Sequence, residues 1–564
     1  MRRQVARRCV YGVDANHVSV ELARLAIWIH TFVPGLPLSF LDHSLRWGNS
    51  LTGIGTLNEA IDLLDPKAAE TGAASLFRGE IEAFLDRAGD ALRRLARTTE
   101  ATVADVKTAR EANREAEAAV QPARDLFDLL VAGRLGEIPM PITADEDAIA
   151  DDPGLVVARE LGDDLDALHF PVAFPEVFVR DRPGFDCILG NPPWDKVLFE
   201  PQQFWVTRSP GLNTLSEARR SEKINELRGA RPEDAAAEAE LKASRELLQD
   251  LIEQAYPNRG RGHYDFAKLF AERAVNLVRE TGTVGYVLPA SSLLLGGWGK
   301  LRELWFAGSH LLAAQARNTR GWLFEDVHQS YSVALLSRTP VLESARSSAT
   351  LIPGVTSLEA LKGADLDITL TIDVLRSLSD SVVVPWINHP RDASLFESMR
   401  SEPSLGGREG WITGHHDARW DFRSSGPNRR SASTTPSRDS WRVLMTRHVV
   451  PFGISEAAAF QQYLPSPSAL RGATATDAGG EPELVEEHPL IVMRHPSRND
   501  DSRTLIATAL PSSGFLHNKG YVHAIRQAPG APTDTLLALL AYLNRLRVTG
   551  GCVASSIGIS PRQS

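Results

Sequence analysis

The chain has 564 residues, 43% apolar and 23% charged, which is long enough for several domains that each bury a core. Its net charge of −10 argues against a non-specific nucleic-acid binder. It has no apolar run long enough to span a bilayer, and its basic start, Met1 to Arg8, lacks the apolar stretch of a secretory signal, so a cytoplasmic protein with no membrane partner is expected.

Cys9, Cys187 and Cys552 lie far apart, without metal-ligand spacing, and read as reduced thiols. Val10 to Asp14 reads as a strand that ends in a carboxylate. A helix follows, with Asn16 as its N-cap and Val18, Leu22, Leu25, Ala26 and Ile29 on one face. At the end of a strand in a Rossmann-type unit, a carboxylate such as Asp14 can hold ribose hydroxyls; the alternative is that it only starts the following turn. Leu41 to Leu51 contains Gly48-Asn49-Ser50, which taken alone is an ordinary turn, and Asn49 can both donate and accept. His43 reads as a loop or surface residue. Between residues 54 and 165 the α/β pattern is interrupted by Ala-, Glu- and Arg-rich sequence with Leu76, Ile81, Phe84, Leu85, Leu92 and Leu95 at helical spacings, which predicts an inserted helical hairpin. The acidic stretch 144–152 reads as a loop.

Phe185 to Leu189 reads as a short buried strand, released by Gly190 into Asn191-Pro192-Pro193-Trp194. Two prolines fix φ and lack N–H donors, so Asn191 is held extended. The turn offers an amide oxygen, the Pro192 carbonyl and an indole face. Two fixed acceptors suit the exocyclic amine of adenine, whose lone pair is delocalised until its N–H groups are held. An indole can stack on a base extruded from its duplex. The bland alternative is an Asn-Pro-Pro loop followed by a core Trp.

The run Phe185 to Trp194 resembles the catalytic motif of amino-group DNA methyltransferases of the N6-adenine branch. Phe174-Pro175-Glu176-Val177-Phe178 resembles the lead-in of the long methyltransferases of restriction–modification and phage-defence systems. The resemblance implies an α/β fold: a Rossmann-like domain that uses S-adenosylmethionine, with a helical insertion, plus a smaller α+β target-recognition domain. It assigns residues 1–53 to the first part of the methyltransferase domain, 54–165 to the insertion, 166–345 to the catalytic part, 346–400 to a connecting segment and 401–564 to target recognition. It also implies that Asn191, Pro192, Pro193 and Trp194 are catalytic, that Asp14, Asn49 and Asn191 bind the cofactor, and that double-stranded DNA is the partner.

Residues 198–262 read as polar and mostly helical. Tyr264 to Arg273 opens a helix continued by Leu277 and Val278; Tyr264 and Asp265 either line a pocket or start that helix. Gly282 to Pro289 reads as a turn and strand, and Tyr331 to Leu336 as a later strand. Residues 401–564 carry +3 against −13 for the rest, and nearly all their cations are Arg, which suits phosphate and guanine contacts and equally a GC-rich genome. Strands are expected in Trp441 to Phe452 and Leu490 to Ala509. Arg494, Arg498, Arg503 and Lys519 are the candidate DNA contacts, with a surface ion-pair network as the alternative.

The family carries a glycine-rich cofactor loop before the position of Tyr11, and residues 1–10 contain nothing like it. The expectation is therefore an internal piece of a longer enzyme that binds the cofactor weakly alone and works with an upstream chain carrying that loop and a nuclease. A non-catalytic DNA-binding remnant is the alternative. A nicotinamide enzyme is disfavoured, because no Gly-x-Gly-x-x-Gly follows a strand.

Overall fold

The computed structural model describes residues 1–386, other than 38–39, 72–74, 76, 98–100, 261–263, 326, 329–330, 342–345, 365–367 and 380. Beyond them it describes short stretches between 412 and 540. The chain divides into two compact units, residues 1–292 with 297–369, and residues 293–296 with 370–564.

The first unit begins with a helix that the sequence reading did not anticipate, α1 (Arg2–Cys9), followed by strand β1 (Gly12–Asp14), helix α2 (His17–His30) and strand β2 (Leu45–Trp47). Asn16 caps α2 as expected, its Oδ1 accepting the Val18 and Ser19 N–H groups. β1 and β2 pair in parallel, with Asp14 opposite Trp47. The expected apolar face of α2 exists but is not in the core. Val20, Ala23 and Ile27 pack on Leu41 and Leu45 instead, while Val18, Leu22, Leu25 and Ile29 face outward.

A bundle of helices occupies Leu57 to Asp164, more than the single hairpin expected. It closes on its own core, in which Leu126, Phe127 and Leu130 are fully buried. The acidic stretch forms a short helix, Glu146–Ala150, because Asp145 accepts the Ala148 N–H and caps it. His169 ties the bundle to the chain: its Nδ1 accepts the Ile54 N–H, so Nε2 carries the proton that bridges to Asp128 at 2.9 Å.

The main sheet has six strands in the order β3 (Phe185–Gly190), β4 (Val278–Pro289), β6 (Ser332–Pro340), β5 (Ser309–Arg317), β7 (Ser348–Val355), β8 (Ile368–Thr371). β3 and β4 are parallel, whereas β4 and β6 are antiparallel. Two expectations change here. Gly282 lies within β4 rather than in a turn, because the strand already starts at Val278 and absorbs a register shift opposite Phe185 and Cys187. β3 is not buried on both faces: Asp186, Cys187 and Leu189 are exposed, because the strand stands at the sheet's edge.

In the second unit, four antiparallel strands run in the order Ala507–Leu510, Leu490–Arg494, Val522–Gln527, Ile412–Gly414. Ser440–Leu444 lies between Tyr463–Pro465 and Phe515–His517. Arg494 is at a strand end, paired with Val522; its side chain, and Arg498, Arg503 and Lys519 entirely, lie outside the described residues.

Candidate acceptor and cofactor site

Gly190 is the pivot of the site. A Cβ there would stand 2.7 Å from a ring carbon of Tyr286, its register partner on β4. Glycine there leaves room for the Tyr286 ring against the end of β3. Replacing Gly190 with Ala should cost about 1–3 kcal/mol and displace Asn191. Thermal unfolding with an unchanged midpoint would refute this.

Beyond Gly190, Asn191 and Pro193 are exposed, Pro192 is buried and Trp194 is half-buried. The Trp194 indole N–H points to the Val287 carbonyl at 3.4 Å, a long contact. Its ring meets Phe324 edge-on, with centroids 5.9 Å apart and planes at 86°. Phe324 was not singled out in the sequence: it lies 130 residues away and is delivered by the loop between β5 and β6. Asn318 shapes that loop, with Nδ2 donating to the Phe324 and Val327 carbonyls and Oδ1 accepting the Leu323 and Phe324 N–H groups.

The segment after Trp194 is pinned by the start of the helix Phe266–Leu277. The Phe266 N–H donates to the Asp195 carbonyl, and the Val197 N–H to the Tyr264 carbonyl. Asp265 caps the helix by accepting the Lys268 N–H, which supports the helix-start alternative. Burial pushes its carboxyl above the usual range, against the pull of Lys268. The Tyr264 hydroxyl donates to Glu253 at 2.7 Å.

On the other side, Asp14 and Asn49 stand at the ends of adjacent parallel strands. Asp14 is exposed, and its Oδ1 accepts the Asn16 N–H at 2.7 Å. That bond starts the turn, and it leaves the second carboxylate oxygen for a hydroxyl pair. Asn49 directs Oδ1 inward to the Leu51 N–H, and its backbone N–H donates to the Asp166 carbonyl at 2.7 Å. What it can offer an adenine edge is its amide N–H2. His43 sits in a turn, as its loop reading has it, but is only partly exposed: its Nε2 lies 2.7 Å from Glu176 Oε1, which also accepts the Tyr11 hydroxyl at 3.0 Å. Burial would raise the Glu176 carboxyl, but His43 and Tyr11 together hold it low.

The family model of the Eco57I restriction-modification methylase matches residues 8–202, a span that contains Asp14, Asn49 and the whole 191–194 turn. No curated protein matches the chain in sequence. Among solved structures, one similar to it is a nuclease-deletion mutant of the Type ISP restriction-modification enzyme LlaGI in complex with a DNA substrate mimic (TM-score 0.32, 11% identity, 96% of this chain and 56% of that one). A second is the Type IIL enzyme MmeI in complex with DNA (TM-score 0.31, 9% identity, 87% and 64%). A third is a putative class I S-adenosylmethionine-dependent methyltransferase from Listeria monocytogenes (TM-score 0.16, 12% identity, 51% and 89%). The chain spans less than two thirds of the length of the two restriction–modification enzymes.

Proposed function

We propose that this chain carries the catalytic part of a site-specific DNA methyltransferase of a restriction–modification or phage-defence system, acting on adenine N6 in duplex DNA. The observation that carries the reading is the 191–194 turn. An exposed Asn at the carboxyl end of a strand stands beside an indole walled by a second aromatic ring, inside the span that matches a methylase model. S-adenosylmethionine, when bound, supplies an electrophilic methyl group. Asp14 fits its ribose hydroxyls and Asn49 its adenine edge. The acceptor base leaves the duplex and lies against Trp194. Asn191 Oδ1 and the Pro192 carbonyl accept the two N–H groups of its amine, which turns the nitrogen lone pair toward the donor.

In the same reading Arg494, Arg498, Arg503 and Lys519 of the second unit hold phosphates or read base edges. Expression with its flanking reading frames in a methylation-free host tests the function. N6-methyladenine at one fixed sequence is the expected product; N4-methylcytosine, or no modified base, would overturn it. Trp194→Ala should weaken capture of the extruded base by about 1–3 kcal/mol. A 2-aminopurine at the target position reports it, and unchanged emission would count against stacking.

A further inference from the structure

The loop between β5 and β6 carries more than Phe324. Arg317 closes β5, Arg320 follows in the turn, and both are exposed. Among the described residues neither guanidinium makes an ion pair or a hydrogen bond. Glu325, the exposed carboxylate next to Phe324, pairs with neither.

Exposure is the ordinary state of an arginine, but the backbone beneath Arg320 is not ordinary. Arg320 has φ 58° and ψ 23°, in the left-handed region that Gly and Asn adopt readily and other residues rarely. Among the described residues only Asp166 and Val382 share a positive φ without being glycine. Gly321 follows with φ 71°, so the chain reverses tightly at this point. Such a conformation persists only where its surroundings fix it. Here Asn318 is fully buried and holds the loop through its bonds to Leu323, Phe324 and Val327. The Gly321 N–H donates to the Asn318 carbonyl at 3.2 Å, and the Trp322 indole N–H to the Arg317 carbonyl at 2.7 Å. Trp322 and Leu323 pack on Ala314, Ala316, Ile352 and Val355. Gly or Asn would meet the turn at position 320 without strain, so packing does not account for an arginine there. A ligand for its guanidinium does.

The place of the turn points to the ligand. From Arg320 to Phe324 the chain extends at most about 14 Å, and Phe324 walls Trp194. A nucleotide whose base lies against Trp194 has swung its sugar and phosphates out of the duplex path, to the rim of that pocket. Planar guanidinium groups without a carboxylate partner suit bidentate contacts to phosphate.

We propose that Arg317 and Arg320 clamp the phosphates that flank the extruded nucleotide, so the loop that walls the base also holds its backbone. The clamp rests on the methyltransferase reading for the extruded base. It differs from the contacts proposed for the second unit, because it acts on the distorted strand and not on the paired duplex. It reads no sequence.

The full chain, with the flanking-frame products present, is titrated with two labelled duplexes of about 25 base pairs. One is fully paired, and the other carries a single unpaired adenine at its centre. The parent should bind the second more tightly. Arg317→Gln with Arg320→Gln should weaken that binding by about tenfold and leave the paired duplex within about twofold. Against the unpaired adenine, the slope of log affinity on log salt should fall by about two between about 50 and 200 mM. Arg320→Gly relaxes the backbone, so its unfolding midpoint should hold or rise while part of the preference is lost. Unchanged affinity and slope in the double variant would overturn the clamp. Equal weakening on both duplexes would overturn it too, as a general duplex contact, and a lowered midpoint for Arg320→Gly would mean a purely structural turn. Methyl transfer is read separately. A double variant that methylates at the parent rate would sink the clamp alone. A parent without methylated product, with the slope change intact, would sink the methyltransferase reading and leave the phosphate contacts standing.

Discussion

Asn191→Ala should lower the rate of methyl transfer by about 10²–10³-fold while leaving affinity for duplex DNA within a factor of about two. Asn191 is exposed at the end of β3, so its truncation opens no cavity and leaves the fold alone. In the proposed mechanism, what is lost is one of two acceptors that draw the amine's N–H protons away from its lone pair. That interaction strengthens as the nitrogen becomes tetrahedral, so the loss falls on turnover more than on binding. Asn191→Asp separates the contributions: the acceptor remains, but its charge and its missing N–H2 group alter the cofactor side. Methyl incorporation into duplex DNA, measured with the flanking-frame products present, decides it. An Ala variant that keeps a tenth or more of the parent rate, on the order of 1.4 kcal/mol or less, would remove Asn191 from the chemistry.

Much of this site was legible in the sequence because its signals are local. The strand–Gly–Asn-Pro-Pro-Trp succession sets its own backbone, and Asn16 caps α2 with its own side chain. Periodicity also identified which residues of α2 share a face. It could not say what covers that face, and here the periodic stripe Val18, Leu22, Leu25 and Ile29 is the exposed one. The same limit explains β3, whose apolar composition reads as a core strand although it stands at an edge. Phe324 was invisible for a different reason. Its approach to Trp194 depends on the antiparallel pairing of β5 with β6 and on the Asn318 hydrogen bonds, neither of which leaves a local pattern. His43 sits in a turn as read, but its pairing with Glu176, 133 residues away, leaves no local pattern.

Arg273→Met should destabilise the first unit by about 3–5 kcal/mol. Arg273 is 4% exposed and lies within the helix Phe266–Leu277. Its guanidinium donates to Glu59 Oε2 at 3.1 Å, to the Tyr256 hydroxyl at 3.0 Å, and to the Leu51 and Gly53 carbonyls at 3.2 and 3.0 Å. It therefore fastens the segment after Asn49 to the helix whose start pins the acceptor turn. Met keeps much of the side chain's bulk but removes five charge-assisted N–H donors; the Leu51 carbonyl keeps the Tyr256 hydroxyl and Glu59 Oε2 the Gly55 N–H, whereas the Gly53 carbonyl loses its guanidinium donor. Arg134, 2.7 Å from Glu59 Oε1, still pairs with that carboxylate, so Arg273→Met and Glu59→Gln should be less than additive. Burial alone would raise the Glu59 carboxyl, but Arg273 and Arg134, with the Gly55 N–H, hold it below the usual range. A depressed carboxyl contributes stability that is complete above its unfolded pKa and lost as pH falls through the folded value. Glu59→Gln should therefore shrink the acid-side loss of stability below about pH 4.5, with little change in the slope near neutrality. Urea unfolding of the parent and both variants from pH 3 to 8, on the order of five units, reads both effects. A loss under about 1 kcal/mol for Arg273→Met would mean that the carbonyls find other donors, and that this fastening does not hold the cofactor side to the acceptor side.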